Sequence, residues 1–459
     1  MKINKLTYLL LLLIISFHLL FLFKLVFWPY AELFIYSYLT EIGSIPYKQI
    51  FDQHFPGVMF FPVNLYSLGI DTPQEARWLH LGLVSIVHIL IFFIARKIFK
   101  SEKYALFCNF IYMLTQPFYE GYALWIESFI IPLLLLSFYY LYKWRENSLK
   151  IYILLSGFFI GLVLLFKQPV LPLIFFVIVY IYLRKRQKDL KSVSFYIATV
   201  FIAVVPIIIY IIELDILKEF WYWTVWFNLT TFNKMGRTYP DILGLVKVFP
   251  VYIAPFLLGI YTYLIKKDEA VLLLLMFYTG TLFFAFARFD LIHLQPVLPF
   301  SILLAVRSVK VLNRYKMLAF ILMSLIGIFI MTNTFTHFKG TRVYFFGETE
   351  KTIADKVLLY ANEGDTIYTL GTTPHIYYLT KTKPPDGIFV FQFPWFMIEA
   401  EDMVLEGIVS DPPKVVLKDT SSTVAGKNLV SYMEKIENYI NKEYQVVDKI
   451  GVTEIMIQK

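Results

Sequence analysis

Residues 151–183 read IYILLSGFFIGLVLLFKQPVLPLIFFVIVYIYL, with Lys167 as their only charge. Two apolar runs, 151–166 and 169–183, meet at Phe166-Lys-Gln-Pro169. Backbone polar groups inside a lipid bilayer must be satisfied within the segment, so runs of this kind are helices. The lone cation and the proline that follows mark the reversal between them. This is a helical hairpin built for hydrocarbon.

Working outward, similar runs fall at roughly 6–28, 76–95, 104–118, 125–142, 193–213, 246–265, 269–287, 291–307 and 315–333. A spanning helix needs about 20 mostly apolar residues. Several of these runs are shorter and are expected to be tilted or locally broken. The run Phe55–Leu68 is apolar too, but Pro56, Gly57 and Pro62 interrupt it, which suggests a re-entrant or interfacial piece. The first run has the basic start of a signal peptide. Its apolar stretch is too long for one, however, and Phe27-Trp-Pro29 stands where small residues would mark cleavage, so a retained helix is expected.

Composition agrees. Of 459 residues, 58% are apolar and 17% charged, against about 45–50% and about 25% in soluble domains. Mean hydropathy is +0.64. A soluble enzyme and a disordered tail protein are both excluded. The net charge of +8 has a local explanation. Alternate loops carry Arg96, Lys97, Lys100 and Lys103; Lys143, Arg145 and Lys150; Arg184, Lys185, Arg186, Lys188 and Lys191; Lys266 and Lys267; and Arg307, Lys310, Arg314 and Lys316. Cytoplasmic loops concentrate such cations. The N-terminus is therefore expected in the cytoplasm and the C-terminal segment outside a plasma (inner) membrane. No basic stripe lies elsewhere, so no nucleic-acid partner is expected. The single cysteine, Cys108, excludes an internal disulfide and any Cys-based metal site.

The fold class read from this is an α-helical polytopic membrane protein of about eleven transmembrane helices. Residues 1–334 form the membrane domain, with a first external loop at 29–75. Residues 335–459 form a small extracytoplasmic α/β domain, in which 348–363 and 426–443 have helical patterns. Thr366–Leu370, Ile388–Phe391 and Val415–Lys418 read as strands there, and Tyr444–Ile450 with Thr453–Ile457 as a hairpin across Gly451. The aromatic stretch around Trp221, Trp223 and Trp226 suits a helix lying at the membrane–water interface.

Ionisable groups at membrane depth are costly and tend to mark function. Five places near the outer ends of the runs stand out. Glu32 follows the first helix in Trp28-Pro-Tyr-Ala-Glu-Leu33. Asp52 and His54 follow Gly43-Ser-Ile-Pro-Tyr47 within Phe51-Asp-Gln-His-Phe-Pro-Gly57. Glu127 opens the fourth run. Lys167 follows Gly157-Phe-Phe-Ile-Gly161. Arg288 and His293 lie in Arg-Phe-Asp-Leu-Ile-His, ahead of Pro296 and Pro299. Carboxylates and cations gathered at one membrane face suit reaction at a lipid phosphate: an acid takes the proton from an acceptor hydroxyl, and cations stabilise the departing phosphate.

Each residue also has a plainer reading. Asp52 can cap a helix starting near Phe55. Glu127 can complement a helix dipole. Lys167 can snorkel to lipid phosphates. Asp290 can simply pair with Arg288. Asn228-Leu-Thr230 is a sequon by spelling only. Gly371-Thr-Thr-Pro-His375 lacks the glycine pattern of a nucleotide loop.

In order and spacing these phrases resemble the polyprenyl-phosphate-sugar-dependent GT-C glycosyltransferases. The likeness is to the bacterial proteins grouped with dolichyl-phosphate-mannose–protein mannosyltransferases and lipopolysaccharide-core glycosyltransferases. Gly43, Pro46, Tyr47, Phe51 and Asp52 match the phrase G-x-x-P-Y-x-x-x-F-D-x-x-P-P, and Pro56 falls near its proline pair. Relatives often carry Asp or Asp-Glu after the first helix; here Tyr30-Ala-Glu32 leaves Glu32 as the only acid at that point. The resemblance implies an integral-membrane enzyme that moves a hexose or pentose from a polyprenyl-phosphate donor to a glycan, lipid or protein of the cell envelope, with inversion. Glu32 or Asp52 would be the base, and His54, Glu127, Lys167, Arg288 and His293 would bind substrate. No cofactor is implied, although Glu32, Asp52, His54 and Glu127 are oxygen- and nitrogen-rich enough for Mg²⁺ or Mn²⁺. A transporter or lipid flippase is the competing reading; it would place charges near the midplane on broken helices in repeated halves. A third reading, an assembly protein, would need no acidic site.

Overall fold

The computed structural model describes residues 4–184, 189–313, 315–419, 421–424 and 426–459. The loop cations Lys185, Arg186, Lys188 and Arg314 lie outside the described residues, as does Lys2. The chain begins with helices α1 (Lys5–Phe23), α2 (Ala31–Glu41), α3 (Pro73–Phe99), α4 (Glu102–Thr115), α5 (Ile126–Asn147), α6 (Lys150–Phe166), α7 (Leu171–Arg184) and α8 (Leu190–Glu213). Four more apolar helical segments follow, at Ile242–Lys266, Glu269–Ala287, Leu298–Leu312 and Lys316–Phe338. Every predicted apolar run is thus helical. Among the described residues, seven helices are long and apolar enough to cross a membrane. The others, α4, α6, α7 and Leu298–Leu312, have 14, 17, 14 and 15 residues. Phe55–Leu68 forms no long helix; Pro56–Val58 makes one 3₁₀ turn, because its two prolines cannot sustain the ladder.

The chain forms two compact units. Unit 1 holds residues 1–28, 74–206 and 238–342, and unit 2 holds 29–73, 207–237 and 343–459. In unit 1 the helices turn large apolar residues outward. Leu6, Leu9, Leu12, Phe17 and Leu20 of α1 are all exposed, as a lipid-facing surface requires. Helices α5 and α6 form the hairpin. Ser137 and Ser156 lock it by donating hydroxyl protons to each other's carbonyls at 3.0 Å.

The Gly157–Gly161 pair serves packing. A Cβ on Gly157 would meet the Tyr196 carbonyl at 2.6 Å, and one on Gly161 would meet the Val200 carbonyl and Ala203 Cβ at 2.7 Å. Small residues four apart let α6 approach the backbone of α8. Gly161→Val should therefore lower stability by about 1–3 kcal/mol, read as a lower midpoint of thermal unfolding in detergent.

In unit 2, α2 was not foreseen within the first loop. It is buried almost throughout, from Leu33 to Leu39. A four-stranded sheet runs in the order Ile367–Leu370, Val415–Lys418, Thr453–Gln458, Tyr444–Ile450. The first pair is parallel and the other two antiparallel. The hairpin turns at Gly451, whose φ of +59° suits glycine. Helices Glu348–Val357, Pro394–Ser410 and Glu434–Glu443 accompany the sheet. A separate two-residue parallel pairing sets Ile50 beside Phe389 and Phe51 beside Val390. The aromatic stretch is helical with a π-helical turn at Tyr222–Trp226. Trp221 and Trp226 are exposed, but Trp223 is buried, stacked on Phe51 at 4.8 Å. The stretch is thus half core, half surface.

Candidate active site

The sequence-predicted residues fall into two groups, one in each unit. In unit 2, Glu32 and Tyr36 are four residues apart on α2 and so share one face. Tyr36 is fully buried and donates its hydroxyl proton to Asp52 Oδ2 at 3.0 Å. The backbone N–H of His54 donates to Asp52 Oδ1 at 2.6 Å, and His54 Nδ1 lies 2.9 Å from the same oxygen. Asp52 therefore closes a local turn and caps no helix: the 3₁₀ turn at Pro56 starts from Phe55 without a side-chain cap. Asn228 Nδ2 donates to the Gln53 carbonyl at 2.9 Å and pins that turn, so the sequon asparagine is an internal strut.

Asp52 is 3% exposed and accepts hydrogen bonds on both oxygens. Glu32 differs. It is half-buried, at the first turn of α2. Burial, and then the charge of Asp52, push its carboxyl up to about 8. Two neighbouring carboxyls in unlike environments are the pattern that separates an anchor from a proton acceptor.

In unit 1 the α5–α6 hairpin sets the start of α5 against the end of α6. Lys167 leaves α6 in extended conformation and donates from Nζ to Glu127 Oε1 at 2.5 Å. His293 Nδ1 lies 2.6 Å from the same oxygen and 3.4 Å from Lys167 Nζ. Glu127 is fully buried and Lys167 is 4% exposed. Among the described residues, Glu127 Oε2 has no hydrogen-bond partner. The structure thus gathers Glu127, Lys167 and His293, and ties Lys167 to an internal carboxylate. Arg288 is not in this cluster; its Nε donates to Asp290 Oδ2 at 2.6 Å, the plainer pairing.

Two features escaped sequence reading. Glu120 sits between α4 and α5 with a positive φ of 57°. Burial and then Asp290 raise its carboxyl to about 7. It borders a cavity of about 20 Å³, also lined by His80, Gln116 and Gln295, which is room for one water. Beyond it runs a buried polar chain. His88 joins Asn109 Oδ1 and His18, both at 2.8 Å, and His18 reaches Gln116 Oε1 at 3.1 Å. Histidines inside apolar runs were the available signal. This chain ties α1, α3 and α4 together. His88→Ala strands its partners and should cost about 1–3 kcal/mol, again checked by thermal unfolding. Among the described residues, no three His, Cys, Asp or Glu side chains are grouped to hold a metal ion.

The family model for dolichyl-phosphate-mannose-protein mannosyltransferase matches residues 53–211. No curated protein sequence matches the chain. Among solved structures, ArnT from Cupriavidus metallidurans bound to undecaprenyl phosphate is similar with a TM-score of 0.65 at 10% identity, covering 99% of this chain and 98% of that one. Its apo state gives 0.62 at 11% identity, covering 97% of each. The archaeal oligosaccharyltransferase AglB from Archaeoglobus fulgidus, in complex with an inhibitory peptide and a dolichol-phosphate, gives 0.53 at 12%, covering 96% of this chain and 73% of that one. In fold along nearly its whole length, and in sequence over residues 53–211, this chain resembles the GT-C glycosyltransferases.

Proposed function

We propose that the protein is a membrane glycosyltransferase that takes a sugar from a polyprenyl phosphate and gives it to a glycan, lipid or protein on the outer face of the plasma membrane. The observation that carries this reading is the unequal acid pair. Glu32 is half-buried with a raised proton affinity, next to an anchored Asp52. Such a group accepts a proton from a hydroxyl better than an ordinary carboxylate does. The fold shared with proteins that carry undecaprenyl phosphate and dolichol-phosphate supports the donor class.

Roles follow. Glu32 is the base. Asp52, held by Tyr36 and His54, raises the proton affinity of Glu32 and positions it. The acceptor oxygen attacks the anomeric carbon as the bond to phosphate breaks, which inverts that centre. Lys167 and His293, released in part from Glu127, and Arg288 are the candidates for holding the lipid phosphate; the charge on that phosphate is what a cation stabilises. No metal is assigned a step. The cations gathered in alternate loops support an N-terminus in the cytoplasm and residues 335–459 outside.

The test is direct. Purified protein in nanodiscs is incubated with radiolabelled polyprenyl-phosphate sugars, beside Asp52→Asn. Transfer or sugar release by the wild type is expected. For D52N the pH at half-maximal rate should move down, because the neighbouring charge that raises Glu32 is gone. An unchanged pH profile in D52N would remove Asp52 from its role. A protein that binds no polyprenyl phosphate would return the reading to transport.

A further inference from the structure

Unit 2 places an aromatic ladder beside the acid pair. The parallel pairing sets Phe51 beside Val390, and Asp52 and Phe391 are the residues that follow each of them. Contact agrees: the Phe391 ring meets Tyr36, the phenol that holds Asp52, at 5.6 Å edge-on. Phe391 and Phe393 stack at 5.8 Å with planes 16° apart, and Phe393 and Trp395 at 4.9 Å with planes 21° apart.

The segment is rigid by construction. Phe393 N–H donates to the Phe391 carbonyl at 2.7 Å, closing a one-residue turn that puts both rings on the same side. Gln392, at its centre, points back to the sheet. Its Oε1 accepts from Gly371 N at 2.8 Å, its Nε2 donates to the Thr369 carbonyl, and its own carbonyl accepts from the Tyr432 hydroxyl at 2.8 Å. Neighbouring aromatics are sealed: Tyr36, Phe51, Trp395 and Phe396 are all under 5% exposed. Phe391 and Phe393 alone in this ladder keep part of their surface open.

We propose that Phe391 and Phe393 form a binding platform for a pyranose ring of the substrate. This rests on the reading of the site as a glycosyltransferase and deepens it. The face of an aromatic ring is electron-rich. The C–H groups of a sugar are polarised by its oxygens and pack on such a face. Stacking on a face also leaves the hydroxyls free at the edge of the sugar, where a neighbouring carboxyl can reach one. The platform carries no charge, so it suits the sugar and not the phosphate.

The experiment uses full-length protein in nanodiscs. Dissociation constants are measured for undecaprenyl phosphate, for a panel of undecaprenyl-phosphate hexoses, and for free methyl pyranosides. The second arm reads the donor sugar and the third reads a sugar acceptor. The double variant F391L/F393L should lose about tenfold of the sugar-dependent affinity in one of these two arms, with undecaprenyl phosphate binding unchanged. Phe393→Trp, which keeps a ring there, should retain it. Thermal unfolding of each variant checks that the tail is folded. Retention of the full sugar increment in a folded double variant overturns the platform and leaves the proposed function standing. So does equal weakening toward undecaprenyl phosphate itself, which would make the rings a lipid contact. A wild type that gains nothing from any sugar also overturns it; failure to bind undecaprenyl phosphate as well would take the proposed function with it.

Discussion

Glu32→Gln should lower sugar transfer by a factor of about 10²–10⁴, the usual worth of a positioned general base. Glutamine keeps the shape of the side chain and its place in the first turn of α2. It removes only the ability to take a proton. Binding of the lipid donor should therefore survive while kcat falls. In the wild type the rate should rise with pH and level off above about 8, because the carboxyl must be ionised to act and burial holds it up to about 8. Folding stability runs the other way. A carboxyl whose folded affinity for protons is raised keeps its proton in the folded state, so stability falls as pH climbs from the ordinary carboxylate range to about 8. In E32Q the rise in rate should vanish and the stability slope should shrink to the part that Glu120, raised to about 7, contributes. A pH-rate profile and a pH series of unfolding midpoints read the two effects separately. A variant with undiminished turnover would show that Glu32 is not the base.

Lys167→Met should be the most destabilising of these substitutions. It leaves Glu127, fully buried, with its negative charge opposed, among the described residues, only by His293. Breaking a buried ion pair from one side costs about 3–5 kcal/mol. The double variant Lys167→Met with Glu127→Gln removes the stranded charge along with its partner and should recover much of that loss. If the double variant is folded but inactive, the pair serves the reaction as well as the fold. Unfolding midpoints and transfer rates on the same preparations distinguish the two roles. An equal loss in single and double variants would mean that the ion pair is not what holds this end of the hairpin.

Much of the architecture was legible because hydrocarbon imposes a simple rule on composition. The apolar runs became helices, and Thr453–Gln458 with Tyr444–Ile450 became the hairpin. Short or crowded pieces were not legible. Helix α2 is 11 residues long and buried on every side from Leu33 to Leu39, so its middle shows no polar face. Helix Pro394–Ser410 went unread because apolar and acidic residues mix along it without a clear stripe. The candidate residues were picked by type and neighbourhood; their partners depended on the fold. Nothing in the sequence says that Lys167 reaches Glu127, 40 positions earlier, or that Tyr36 holds Asp52. The difference between Glu32 and Asp52 is likewise one of surroundings, and surroundings are made by distant segments.

That last point bears on how the molecule is made. The strip Ile50–Phe51, which leads into Asp52, pairs with Phe389 and Val390, which are synthesised more than 300 residues later. At elongation rates of about 5–20 residues per second, the early strip waits on the order of tens of seconds for its partner, while hydrophobic helices are threaded into the bilayer in between. During that interval Ile50 and Phe51 have an open strand edge, and Tyr36, the partner of Asp52, lacks its contact with Phe391. A nascent chain thus has its acids before the segment that packs on Tyr36 exists. On the proposed function, Asp52 gains its full surroundings only after residues 389–391 have been made.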